Sequence, residues 1–341
     1  MTEDADLVAD LVIVGTGPVG LYAIYYAGFR GLSVVAIDAL PEPGGQMTAL
    51  YPEKPVYDIA GFPQVRAQDL VDNLVRQAEQ ARPTYLLGHR AVELNQDDDG
   101  VTVRTDRGAT VRAAGLLITG GMGGFVPRPL PVGNEYVGRG VRHAVPRPAE
   151  LAGQDVLVVG GGDSAVDWAL CLEPLAASVT LVHRRPTFRA HAASVDQLHA
   201  SSVRVLTPYE LTAVHGEDSV TGVDLLGPDG VRTLPVTEIV GAIGFQADLS
   251  ALAGWGLGLA RRHIPVDRSM QTCRPRVFAA GDIADHPGKV RLISVGFGEA
   301  ATAVNHLAPL ARPDLSVVPG HSSDLGADGS AAPEPVAAAR R

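Results

Sequence analysis

The sequence predicts an α/β chain of two Rossmann-like, three-layer ββα domains, one inserted in the other. Three observations carry that prediction. A glycine-rich turn joins an apolar run to helix-compatible sequence at residues 10–20, a second copy lies at residues 155–165, and sheet-forming sequence flanks the second copy on both sides. Aligned, DLVIVGTGPVG and DVLVVGGGDSA place Gly15 over Gly160, 145 residues on, with the same acid and apolar run ahead of each. One structural device is used twice. A length of 341 residues, 46% of them hydrophobic and with 39 glycines, suits a turn-rich chain of about two domains.

The opening residues, MTEDADLVAD, are acidic and contain no basic n-region, and the apolar run Leu11–Val14 is too short for a signal or membrane helix. A cytoplasmic location without a membrane partner is expected. In each copy the run ahead of the turn is short, β-branched and bounded by glycine, as in a buried parallel strand, and a helix follows. The first glycine of each turn, Gly15 or Gly160, permits the tight turn, and the second, Gly17 or Gly162, lets backbone approach a pyrophosphate. The third, Gly20 or its replacement Ala165, allows helix and strand to pack closely. Exposed N–H groups at each helix N-terminus, around Pro18 in one copy and around Asp163 and Ser164 in the other, would receive the pyrophosphate.

The strand LSVVAIDAL ends on Asp38, 23 residues beyond Gly15, where a carboxylate can hold a ribose 2′-hydroxyl. The first site is therefore expected to take a dinucleotide with an unphosphorylated adenosine ribose, read as FAD. The same count from Gly160 reaches His183, after the strand SVTLV, and Arg184 and Arg185 follow directly. Guanidinium forks match phosphate geometry, so these arginines, with Arg189 beyond them, are expected to bind the 2′-phosphate of NADP. Two dinucleotides are thus predicted, with hydride passing between them.

Between the copies, AVELNQDDDGVTVRTDRGATVRAAGLLITGG reads as a β-rich arm turning at Asp99-Gly100. The expected boundaries are residues 1–117 for the first part of the FAD domain, 118–244 for the NADPH domain, 245–323 for the rest of the FAD domain, and 324–341 for a disordered tail. VFAAGDIA would complete the first sheet, and the two crossings, TGGMGG and AIGFQ, suggest a hinge.

A net charge of −10 without a long basic run argues against nucleic acid as a partner. Cys171 and Cys273, 102 positions apart, form no disulfide framework, C-x-x-C pair or zinc pattern, and are expected to be buried free thiols. Ten histidines cluster no more closely than His183 and His191, so no metal is predicted. Trp168 is expected in the core.

Together GTGPVG, GGQMTALYPEKPVYDIAGFP, GGGDSAVDWAL, HRRPTFRAH and GDIADHPGKVRLISVGFGEAATAVNH resemble the thioredoxin-reductase-like ferredoxin:NADP reductases of bacteria, over residues 8–323. That resemblance implies FAD at Gly15, Gly17, Pro18, Gly20, Asp38 and Gln46, with Asp58 near the ring and Asp282 on the ribitol. It also implies Thr302, at the start of the final helix, near the flavin pyrimidine, and Tyr51 and His321 stacked on the two flavin faces. NADP falls to Gly160, Gly162, Asp163, Ser164, Ala165, His183, Arg184, Arg185 and Arg189. A homodimer is carried over in the same way, with His321 partly serving the partner subunit.

A thioredoxin reductase carries a dithiol just ahead of its second fingerprint, because disulfide exchange needs a thiolate. Here that region, YVGRGVRHAVPRPAELAGQDVLVV, contains no cysteine. Electrons must leave directly from the flavin, which accepts two as hydride and releases them singly, so ferredoxin or flavodoxin is the expected carrier. No residue is expected to act as acid, base or nucleophile. An acidic ferredoxin needs a locally basic docking face, for which Lys289, Arg291, Arg184, Arg185, Arg261 and Arg262 are candidates. Two alternatives stay open at this point: an FAD-dependent NADPH reductase of a small molecule or quinone, and a redox-sensing flavoprotein.

Overall fold

The computed structural model describes residues 6–319, and its contacts divide the chain into two compact units. The first takes in the chain up to Thr48, Pro55–Gly124 and everything from Ala247; the second takes in Ala49–Lys54 and Phe125–Gln246. The second unit is inserted in the first. The outward crossing comes after Gly124 because Thr119 still belongs to the first turn, its amide donating to Val14 O at 2.8 Å and its hydroxyl to Gly15 O at 2.7 Å. His321 and the tail lie outside the described residues.

In the first unit a seven-stranded sheet runs in the order Thr84–Leu87, Val34–Asp38, Leu7–Val14, Thr110–Ile118, Val101–Thr105, Ala91–Gln96, with Val277–Ala279 also paired to Thr110–Ile118. Val12 faces Val35 on one side and Leu116 on the other, both in parallel register. The arm is antiparallel, and its turn closes with Gln96 opposite Val101, around Asp99-Gly100. Val277–Ala279 does complete the sheet. Leu11, Val12 and Ile13 are fully buried, as expected of a strand covered on both faces. One layer is helical, Pro18–Phe29, Ala67–Ala78 and Ile293–Ala311; on the other side Val12, Ile37, Leu116 and Trp255 share a core with the arm.

In the second unit five parallel strands run in the order Val141–Arg142, Glu238–Gly241, Asp155–Val159, Ser178–Val182, Arg204–Leu206. A three-stranded antiparallel sheet, Glu210–His215, Gly222–Gly227 and Gly230–Pro235, supplies the second β layer. Helices Asp163–Leu172 and Ala192–Ala200 belong to the other layer, and Trp168, on the first of them, is buried in the core.

The acid repeated ahead of each turn has a structural task. Asp10 Oδ2 accepts the Ser33 amide at 2.7 Å and the Ser33 hydroxyl at 2.8 Å, and Asp155 Oδ1 accepts the Ser178 hydroxyl at 2.6 Å. Each acid ties the first strand of its sheet to the start of the next, which places both ends of the following turn in register. Among the described residues no helix is long and apolar enough to cross a membrane.

Candidate functional site

The first turn is built from what glycine leaves out. Gly15 has φ +108°, and a Cβ there would stand 2.6 Å from the Thr119 carbonyl carbon; a Cβ on Gly20 would stand 1.9 Å from Gly15 O. Gly17 differs, because a Cβ there would meet nothing within 4 Å. It is the N-cap of helix Pro18–Phe29, whose first N–H groups receive no side-chain cap. An open backbone face over uncapped donors at the positive end of a helix is an anion site.

Asp38, at the end of its strand, has Oδ2 held by the Thr16 amide (2.6 Å) and hydroxyl (2.8 Å), and Oδ1 held by the Leu40 amide (2.9 Å). These bonds pin the carboxylate beside the turn. The Gly44 amide donates to Thr16 O at 2.9 Å, and Gly45 packs on Gly17, so Gln46 enters the same neighbourhood at the start of helix Gln46–Leu50. From the far end of the chain, the turn Gly281–Ile283 brings Asp282 in, with Gly281 against Val19 of the first helix. Asp58 is joined to the N-terminus of helix Ile293–Ala311 by Ser294, whose hydroxyl donates to Asp58 O at 2.6 Å.

Several expectations need correction here. Thr302 is not at the start of the final helix; that helix begins at Ile293, and the Thr302 hydroxyl donates back to Gly298 O at 2.9 Å. Gly296 lies inside that helix, where its missing Cβ lets the helix meet Val19. Lys289 offers no charge to a docking face. Its side chain is 2% exposed and its ammonium contacts Glu299 Oε1 at 2.5 Å and Oε2 at 2.6 Å. Arg291 pairs with Asp285. Cys273 is exposed rather than buried, its thiol reaching Gly256 O at 3.4 Å; Cys171 is half-buried.

The structure does not group Tyr51 with the other flavin candidates. Its segment, Ala49–Lys54, belongs to the second unit, where Tyr51 packs against the Trp168 core and Lys54 meets Asp167 at 2.6 Å.

A buried charge cluster escapes the sequence reading. Glu299, 6% exposed, accepts the Gly281 amide at 2.8 Å and contacts Lys289 and His286, while Lys289 also donates to Gly281 O at 3.0 Å. Both backbone polar groups of Gly281 are thus held by one internal ion pair, which fixes the turn carrying Asp282. A lone acid in the apolar stretch SVGFGEAATAV was the available signal; its partner was not.

The second turn repeats the first with a different lining. Gly160, φ +159°, would carry a Cβ 2.3 Å from Ala242 O, whereas a Cβ on Gly162 would meet nothing within 4 Å. Gly162 is the N-cap of helix Asp163–Leu172, again without a side-chain cap. Gly160, Gly162, Asp163, Ser164, His183, Arg184, Arg185 and Arg189 all line one cleft of about 760 Å³, with Ala165 buried behind them. The His183 ring lies over Gly161, where a Cβ would come within 2.3 Å of it, and stacks on Phe188. Asp163 accepts the His191 amide at 2.9 Å and Arg189 N–H donates to Gly161 O at 2.7 Å, folding the arginine loop back onto the turn. Among the described residues no carboxylate pairs with Arg184, Arg185 or Arg189, and the buried His183 Nε2 has no partner. The cleft offers unspent cations, an orphaned polar atom and an open anion cradle, so its residues fit a phosphorylated dinucleotide. Burial pushes the His183 pKa down; a Thr187 backbone hydrogen bond opposes this, and the charges of Arg185, Arg184 and Arg189 add to the lowering.

Two nested Rossmann-like units, each with an anion-binding turn, define a two-nucleotide oxidoreductase. The profile of the pyridine nucleotide-disulphide oxidoreductases matches residues 9–306. A ferredoxin–NADP reductase of Salinispora tropica is 57% identical over 316 residues, covering 92% of this chain and 98% of that protein. One of Thermus thermophilus is 49% identical over 329 residues, covering 94% and 98%. A thioredoxin reductase of T. acidophilum superposes with a TM-score of 0.77 at 25% identity, covering 88% and 98% of the two chains. That of Lactococcus lactis, at 22% identity and TM-score 0.76 over 89% and 99%, shares the fold. The chain belongs to the pyridine nucleotide-disulphide oxidoreductase family, in the branch that these ferredoxin–NADP reductases occupy.

Two predictions follow from the geometry. Gly20→Ala should cost the apoprotein about 3 kcal/mol through overpacking, whereas Gly17→Ala should cost about 1 kcal/mol or less yet lose FAD on gel filtration; a Gly17→Ala protein that keeps FAD as the native does would contradict the cradle. For His183, the lowered folded pKa means that below the ordinary value of 6.5 the unfolded chain takes up a proton that the folded site refuses. Stability is therefore full above that pH and falls as pH drops past it. His183→Gln should flatten the decline of Tm between about pH 7 and about pH 5; an unchanged slope would contradict it.

Proposed function

We propose that this protein is an NADPH-dependent FAD flavoprotein that exchanges electrons between NADP(H) and a one-electron protein carrier, ferredoxin or flavodoxin. The observation that carries the reading is the absence of cysteine from residues 125–170, where a disulfide-reducing relative needs its dithiol, in a chain 57% identical to a ferredoxin–NADP reductase. Cys171 does not replace the missing pair: burial and the carboxylates of Glu53 and Asp167 push its thiol pKa up, away from the reactive thiolate.

The roles follow from the two turns. Gly15, Gly17 and the Pro18 helix N-terminus would hold the FAD pyrophosphate, Asp38 the adenosine ribose, and Gln46 and Asp282 the remainder, with Gly20 setting the helix close. Tyr51 and His321 enter the proposal as the stacking pair. The backbone of Gly160, Gly162, Asp163 and Ser164, through its N–H groups and backed by Ala165, would hold the NADP(H) pyrophosphate, while His183, Arg184, Arg185 and Arg189 hold the 2′-phosphate. Bound flavin supplies interchange between two-electron and one-electron chemistry, which a nicotinamide lacks. The chain's own contribution is orientation and charge: it places two dinucleotides and moves no proton through a side chain. A cytoplasmic homodimer completes the proposal, supported by the resemblance of the sequence to its family.

Stopped-flow flavin reduction tests the nucleotide assignment. Changing both Arg184 and Arg185 to Ala should raise the half-saturating NADPH concentration by about a hundredfold, the loss of about two charge-assisted contacts, with NADH little affected. Equal losses for both nucleotides would remove the 2′-phosphate from this site.

A further inference from the structure

The cleft of the second unit has a second cationic wall that the arginine motif does not include. Arg128 and its neighbours Pro129 and Pro131 line it together with Ala242, Ile243 and Gly244, and the Arg128 amide donates to Gly244 O at 3.0 Å. Arg128 is exposed, and among the described residues no carboxylate pairs with it.

Strand order says which part of a ligand that wall meets. From the central strand Asp155–Val159 the chain goes to Ser178–Val182 on one side, and later returns as Glu238–Gly241 on the other. The order therefore reverses between Asp155–Val159 and Glu238–Gly241, and a dinucleotide lies across the strand ends at such a point. Its adenosine half belongs over Ser178–Val182, where His183, Arg184 and Arg185 emerge. Its other half then belongs over Glu238–Gly241, where Ala242–Gly244 carry Arg128. The two sides meet at Gly160, whose missing Cβ would lie 2.3 Å from Ala242 O.

Charge gives that wall a task. The helix N-terminus under the pyrophosphate starts with a carboxylate, Asp163, and Glu210 also lines the cleft. Both repel a dianionic pyrophosphate. Arg184 and Arg185 are committed to the adenosine side. We propose that Arg128 is a further binding residue of this cleft that holds the phosphate on the nicotinamide side of NADP(H), so that the cleft grips the dinucleotide from both ends. This rests on the NADP reading of the cleft and deepens it.

Calorimetric titration of the FAD-loaded protein separates the two. NADP+ carries both halves of the ligand, whereas adenosine 2′,5′-bisphosphate carries only the adenosine half. Arg128→Ala should weaken NADP+ about tenfold, the size of one charge-assisted contact, and leave adenosine 2′,5′-bisphosphate within about twofold; Arg128→Lys should restore part of the loss. Unchanged NADP+ affinity, or an equal loss for the adenosine fragment, would overturn the assignment. The native protein's preference for adenosine 2′,5′-bisphosphate over 5′-AMP tests the 2′-phosphate reading by itself, and its absence would overturn that reading whatever Arg128 does.

Discussion

How closely a helix can press on the loop ahead of it decides both nucleotide sites. In the first, a Cβ on Gly20 would overlap Gly15 O, and in the second a Cβ on Gly160 would stand 2.3 Å from Ala242 O and 2.8 Å from the Cβ of Ala165. The close approach aims the first N–H groups of each helix at the space above Gly17 and Gly162, where nothing intrudes. With no side chain capping those donors, the helix dipole is left for a ligand. Strand order then sets where a ligand would lie, and the proposed function assigns the choice of ribose to the residues that end the neighbouring strand.

Electrostatics divides the labour between the units. The first places a carboxylate, Asp38, beside its glycine turn, and its buried Lys289 is consumed by Glu299 in holding Gly281. An ion pair of this kind adds little net stability over an apolar pair but leaves a costly orphan if one partner is removed. In the second unit Arg128, Arg184, Arg185 and Arg189 line the cleft with no carboxylate paired to them among the described residues, inside a chain whose net charge is −10. That local reversal of sign suits the cleft to an anionic ligand on an acidic chain.

Much of this was legible in the sequence because backbone geometry and glycine go together. The two turns, the strands before them, Asp38, and the register of His183, Arg184 and Arg185 with Gly160 follow from spacing alone, and one cleft gathers Gly160, His183, Arg184 and Arg185. What was not legible depends on contacts distant in sequence. Lys289 read as surface charge because its partner Glu299 lies ten residues on, and only the folding of helix Ile293–Ala311 brings the two together. Cys273 read as buried from its residue type, while its position after a turn exposes it. Arg128 has no motif around it, and only strand order gives it a place in the cleft.

The proposed function requires electrons to leave the flavin for a protein carrier rather than for a disulfide or a small molecule. NADPH-driven cytochrome c reduction by the FAD-loaded protein, with and without an added bacterial ferredoxin, tests it most directly. A large ferredoxin-dependent rate is the expected result. No stimulation by ferredoxin or flavodoxin, together with rapid reduction of small quinones, would contradict it.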